Sequence, residues 1–83
     1  MLKAIKLSLR LTGDEFDSEI VDIIEACKAD LKKAGVTDVD GNDPLILRAV
    51  TLYAKGHFGF AEIGIKSLQA YESLKIVLTM TEL

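Results

Sequence analysis

Apolar residues recur along most of this chain at intervals of three and four, the spacing that lines one face of an α-helix. In the first stretch Leu2, Ile5 and Leu9 share one side, while Lys3, Lys6 and Arg10 fall on the other. The alternation Ile5, Leu7, Leu9, Leu11 also fits a strand. Helix is preferred over Leu2 to Leu11, because Ala, Leu and Lys are good helix formers and no second strand is available as a partner. Thr12-Gly13-Asp14-Glu15 then interrupts the pattern and offers a start signal, either Thr12 with Glu15 as a capping box or Asp14 as a simple N-cap. The long helix that follows carries Phe16, Ile20, Ile23, Ile24, Cys27 and Leu31 on its apolar face, and Gly35 stands where a left-handed terminal residue is expected. Acids crowd its start and Lys28, Lys32 and Lys33 its end, the order that complements the helix dipole.

Val36 to Asp43 reads as a polar loop that closes on Asp43-Pro44, with Asp placed to cap and Pro to occupy the first helical position. The third helix is expected to bury Leu45, Ala49 and Leu52 or Tyr53, and to stop in Gly56-His57-Phe58-Gly59, where two glycines break it. The last helix is expected from about Ile63 to Met80, with Ile65, Leu68, Tyr71, Leu74 and Leu78 inward and Thr79 to Leu83 as a frayed tail. No linker, repeat or low-complexity tract divides the chain. The pattern therefore predicts an all-α fold: one domain over residues 1–83, a small bundle of about four helices with a long second and a long C-terminal helix.

Composition adds a constraint. Of 83 residues 49% are apolar, yet aromatics are few and Trp is absent, so the core must come from Ile, Leu, Val and Ala. A chain this short buries only about 60% of the surface it exposes when unfolded. With a mean hydropathy of +0.27, part of the apolar surface is expected to be covered by neighbouring subunits. The net charge of −3 argues against a general nucleic-acid binder, whose affinity rests on clustered Lys and Arg. Cys27, the only cysteine, forms no internal disulfide and suits a reducing setting; a zinc site would lack its usual ligands. No apolar run approaches the ~20 residues of a membrane span, and Met1-Leu2-Lys3 leads into a charged helix without the core of a signal peptide, so the chain is expected to act whole and away from membranes.

Residues with chemical potential mostly have structural explanations. Asp38-Val39-Asp40-Gly41-Asn42-Asp43 resembles the opening of a calcium loop, but the position that needs Gly is Asp43 and the one that needs Glu is Ala49. Cys27 and His57 would make a nucleophile pair only if brought together with an orienting group, and Cys27 falls on an apolar face. His57 is expected to meet a helix C-terminus or to pack in the core. Gly56, Gly59 and Gly64 lack the strand and the Lys-Ser/Thr pair of a phosphate loop and are read as helix punctuation. Neither a catalytic residue nor a cofactor is expected. Asp17-Ser18 near a helix start resembles the arm-bearing motif of acyl carrier proteins, with Glu19 in place of Leu. A helical DNA-binding regulator is the other alternative, although Leu45 to Lys55 and Ile65 to Met80 offer few bases for phosphates.

The run from Asp43-Pro44-Leu45 through Tyr53-Ala54-Lys55-Gly56-His57-Phe58-Gly59-Phe60, continued by Ala70-Tyr71-Glu72-Ser73-Leu74-Lys75, resembles the central signature of tailed-phage head–tail connector proteins, also labelled DNA-packaging or head-completion proteins. The leucine-rich opening and the acid-rich second helix extend the resemblance over nearly the whole chain. It departs at Ala61-Glu62-Ile63-Gly64, where a more polar connection is expected, and in a short tail after Leu78.

The resemblance implies a non-enzymatic structural protein of phage or prophage. It would form an oligomeric ring under the portal protein, extend the DNA channel without specific binding to the passing genome, and give tail or head-completion proteins a docking surface. Its place would be the head–tail junction of the virion, assembled in the bacterial cytoplasm. The residues that match the signature, Pro44, Tyr53, His57, Phe58, Gly59, Tyr71 and Leu74, are expected to be structural, with Tyr53, Phe58, Tyr71 and Leu74 stapling the third helix to the fourth. For ring contacts, Lys3, Lys6 and Arg10 form one candidate patch and Asp14, Glu15, Asp17 and Glu19 another, since a head-to-tail interface joins two different patches of one surface.

Overall fold

The structure, a computed structural model, describes residues 1–40, 43–58 and 61–81. Four helices follow one another: α1 (Leu2–Leu9), α2 (Asp17–Lys33), α3 (Pro44–Phe58) and α4 (Ala61–Thr81). No strand occurs among the described residues, so the fold is all-α and the strand alternative for the first segment falls away. Gly41, Asn42, Gly59, Phe60, Glu82 and Leu83, which carried parts of the loop, stop and tail readings, lie outside the described residues.

Both of the first two helices close in the same way. In α2 the Gly35 N–H donates to the Lys32 carbonyl and the Val36 N–H to that of Leu31, each at 3.0 Å. This pairing needs a left-handed residue, and Gly35 supplies it at φ 104°. In α1 the Arg10 N–H donates to Leu7 at 3.1 Å and Leu11 to Lys6 at 3.0 Å, with Arg10 itself at φ 59°. A side chain at that angle costs about 1–2 kcal/mol. The closure ends α1 at Leu9, short of the Leu11 suggested by spacing.

The start of α2 differs from the sequence expectation. The helix begins at Asp17, with Phe16 in the N-cap position and no side-chain cap; neither Thr12 with Glu15 nor Asp14 fills that role. Asp14 instead lends its backbone carbonyl to the Asp17 N–H at 3.2 Å. Residues 12–16 are used to turn the chain, and the turn places the Phe16 ring edge-on to Phe58, 6.1 Å between centroids. Packing of the entry residue has replaced capping by a side chain.

At α3 the expected signal holds. Asp43 Oδ1 accepts from the Leu45 N–H at 2.8 Å, and its backbone carbonyl accepts from Ile46 and Leu47. The buried face, however, is Ile46, Ala49, Val50, Thr51, Leu52 and Ala54, with Leu45 turned outward. The one buried hydroxyl among them is satisfied, since Thr51 Oγ1 donates to the Leu47 carbonyl at 2.8 Å. Gly56 does not stop the helix, which runs to Phe58. A Cβ on Gly56 would collide with Leu68, so this glycine permits close approach of α4.

α4 is longer than its spacing suggested at both ends, and Thr79 to Thr81 are helical rather than frayed. Tyr71 and Leu78 face the core as expected, but Gly64 is buried and Ile65 is exposed. Helix α3 sits at the centre and contacts each of the other three, most extensively α4. The core gathers Ile5 from α1, Ile20, Ile24, Cys27 and Leu31 from α2, Val36 and Val39 from the loop, the α3 set, and Tyr71 and Leu78.

Gly56→Ala is expected to cost about 1–3 kcal/mol through overpacking against Leu68, and Gly35→Ala about 1 kcal/mol or more through left-handed strain alone. No atom lies within 4 Å of a Cβ at Gly35. Urea denaturation of the two variants measures both losses.

Candidate functional site

The densest group of titratable side chains lies where α2, α3 and α4 meet. The Tyr71 hydroxyl, on a residue only 1% exposed, donates to Asp30 Oδ2 at 2.6 Å. The Lys75 ammonium reaches the same oxygen at 3.0 Å, also bonds Glu72, and sits 5.3 Å from the centre of the Tyr71 ring. Tyr53 of α3 packs edge-on against Tyr71 at 5.0 Å, and His57 packs on Tyr53 at 4.5 Å. Cys27 is buried on the adjacent face of α2, in the same core as Tyr71.

Electrostatics make this group a fastening. The Tyr71 hydrogen bond, followed by Lys75, holds the Asp30 carboxyl below the usual carboxylate range. Burial, reinforced by Asp30, pushes the Tyr71 hydroxyl up and keeps it protonated. Burial also raises the Cys27 thiol to about 11, so at neutral pH it has almost no thiolate with which to attack anything. His57 is exposed in the last turn of α3, at the helix end as expected, and its ring lies tilted against Tyr53 rather than filling the core. The cluster ties α4 to α2 across a gap that backbone packing leaves nearly empty. Asp30 and Lys75 were missed in the sequence because they lie 45 positions apart and no local pattern joins them.

Other sequence candidates separate cleanly. Tyr53 and Tyr71 do join α3 to α4, and Leu74 packs half-buried against the core. Phe58 meets Phe16 at the start of α2, so its staple runs to a different helix from the one expected. Two of the three acids of the calcium-like loop are otherwise engaged: Asp40 pairs with Lys28 at 2.7 Å and Asp43 caps α3. Among the described residues no group of three or more His, Cys, Asp or Glu side chains converges as metal ligands.

Of the candidate contact charges, Lys3, Arg10, Asp14, Glu15 and Glu19 are exposed, whereas Lys6 and Asp17 face each other within the chain at 2.8 Å. Asp17 Oδ1 is shut off from solvent there, and the Lys6 ammonium is what compensates it. The basic patch on α1 and the acidic patch at the start of α2 are therefore neighbours in one subunit.

The largest unexplained feature is apolar. Ile63, Ile65, Ile76, Val77 and Met80 are all exposed on α4, and Leu7 is exposed on α1. A family model described as phage connector protein matches residues 1–82. The chain belongs to the phage connector protein family. Among curated proteins and among solved structures nothing matches this connector significantly. Membership supports a head–tail connector role, and with it a structural place in the virion and association with other virion proteins. No helix among the described residues is long and apolar enough to cross a membrane.

The fastening has a defined pH dependence. Because the folded carboxyl of Asp30 titrates below its unfolded value near ~3.9, its contribution is present above that value and is lost as pH falls through the lowered one. Asp30→Asn is expected to lower stability at pH 7, with the deficit shrinking below pH ~4 as the wild-type carboxylate protonates; urea titrations across pH 2 to 7 read this, and a deficit constant with pH would contradict it. Tyr71→Ala is expected to cost about 3–5 kcal/mol.

Proposed function

We propose that this connector is a non-enzymatic ring subunit at the head–tail junction. It assembles as a closed cyclic homo-oligomer beneath the portal protein, extends the DNA channel, and offers tail or head-completion proteins a docking surface. The whole chain acts as one domain. Carrying the reading is one observation: a member of the phage connector family whose longest helix leaves five large apolar side chains in solvent. Exposed apolar surface of that kind marks protein contact, and a cyclic assembly covers it on every subunit at once. Lys3, Lys6 and Arg10 on α1, and Asp14, Glu15, Asp17 and Glu19 around the start of α2, are candidate charges for these contacts.

The acidic balance suits a channel. A net charge of −3 per subunit, repeated around a ring, discourages passing DNA from sticking. A DNA-reading role is disfavoured because α3, one of the two helices that could enter a groove, carries only Arg48 and Lys55 as Lys or Arg to meet phosphates.

The test is genetic and structural. A phage carrying a nonsense codon in this reading frame is expected to make capsids and free tails that do not join, with joining restored by the protein supplied in trans. Labelled protein in intact particles should localise to the portal vertex. Normal tailed particles without the protein would overturn the proposal.

A further inference from the structure

We infer that the subunit contact is made by a ridge on α4, centred on Ile65, Glu72 and Ile76, seated against an apolar groove on α1 of a second copy of this chain. The inference rests on the ring reading above and names the surfaces that build it.

The two faces match in shape and in charge. At positions 65, 72 and 76 the steps of seven and four keep the three side chains on one stripe of the helix, away from α3. Ile65 is 59% exposed and Ile76 60%, so the stripe has no cover within the chain. Leu2, Leu7, Lys3 and Lys6 of α1, with Leu11 just past its end, line a groove of about 220 Å³ whose surface is mostly apolar. That volume exceeds the ~150 Å³ that accommodates a benzene ring in a protein interior. Leu7 at its edge is 71% exposed. The groove is rimmed by bases, α1 having no acid between Leu2 and Leu9. The ridge carries a carboxylate between its isoleucines. Among the described residues Glu72 bonds Lys75 on its own helix, an exposed pair of small worth.

Placement in the fold allows a head-to-tail contact. Helices α1 and α4 both pack on α3 and hardly touch each other, so groove and ridge are separate patches that one chain does not join. Made head-to-tail, such a contact leaves one of each patch free at the ends and propagates until it closes. Asp17 already serves Lys6 of its own subunit, which leaves Lys3 on the groove rim for a neighbour's acid.

The experiment uses the Leu7→Cys/Ile76→Cys double variant in the full-length chain. Both sites are exposed, so the substitutions leave the core intact, and buried Cys27 stays silent. Mild oxidation of concentrated protein, and of protein assembled on capsids, is expected to give a ladder of covalent multimers that ends in a closed ring, while each single variant gives none. Lys3→Glu should weaken assembly roughly fivefold at low salt, with Glu72→Lys in the same chain restoring it. Absence of a ladder, dimers from a single variant, or cross-links to a portal or tail protein in place of a second copy would each overturn the inference. Localisation at the portal vertex is scored separately on wild-type protein, so a failed ladder beside correct localisation removes the interface and leaves the function standing.

Discussion

The exposed apolar side of α4 follows from one shortage: this helix has a single close neighbour. Twenty-one residues of helix, about 32 Å at ~1.5 Å per residue, lie along α3 and receive little from α1 or α2. Helices α1 and α2 leave its other flanks open. A helix in that position ordinarily becomes polar on its free side, yet this one keeps isoleucine, valine and methionine there. A free monomer gains nothing from them. A subunit whose remaining walls are supplied by identical neighbours does.

Given so narrow a seat, α4 must be held accurately, and two devices do it. Gly56 removes a side chain so that Leu68 can settle against the α3 backbone, which draws the helices close. Tyr71 then reaches past α3 to Asp30 on α2, with Lys75 on the same carboxylate. The first device is steric and works in the dark of the core. The second is polar, partly exposed and directional, so it fixes the rotation of α4 about its axis. A ridge of exposed side chains is useful for assembly only if that rotation is set before the partner arrives.

The sequence made the helices legible and left their rotation obscure. Asp43-Pro44 and Gly35 mark helix ends because backbone chemistry at those points is local and has few solutions. Gly56 was misread for the opposite reason: the same absence of a side chain serves a helix stop and a close helix crossing, and only the tertiary neighbour decides. Spacing alone places Leu45 and Ile65 inward, whereas both are exposed, because a helix with apolar residues on several sides gives periodicity several phases to choose from. Phe16 passed for a core residue of α2, whereas it stands at the entry and reaches Phe58. The family was legible in the run from Asp43 to Phe60 and in Ala70 to Lys75. The Asp30 node was not, because its members meet only after three helices have packed.

Native mass spectrometry of the purified protein across a concentration range, with and without portal rings, tests the account most directly. A closed cyclic oligomer, formed alone or on the portal, is the predicted result. A monomer or dimer that ignores the portal at every concentration would contradict it.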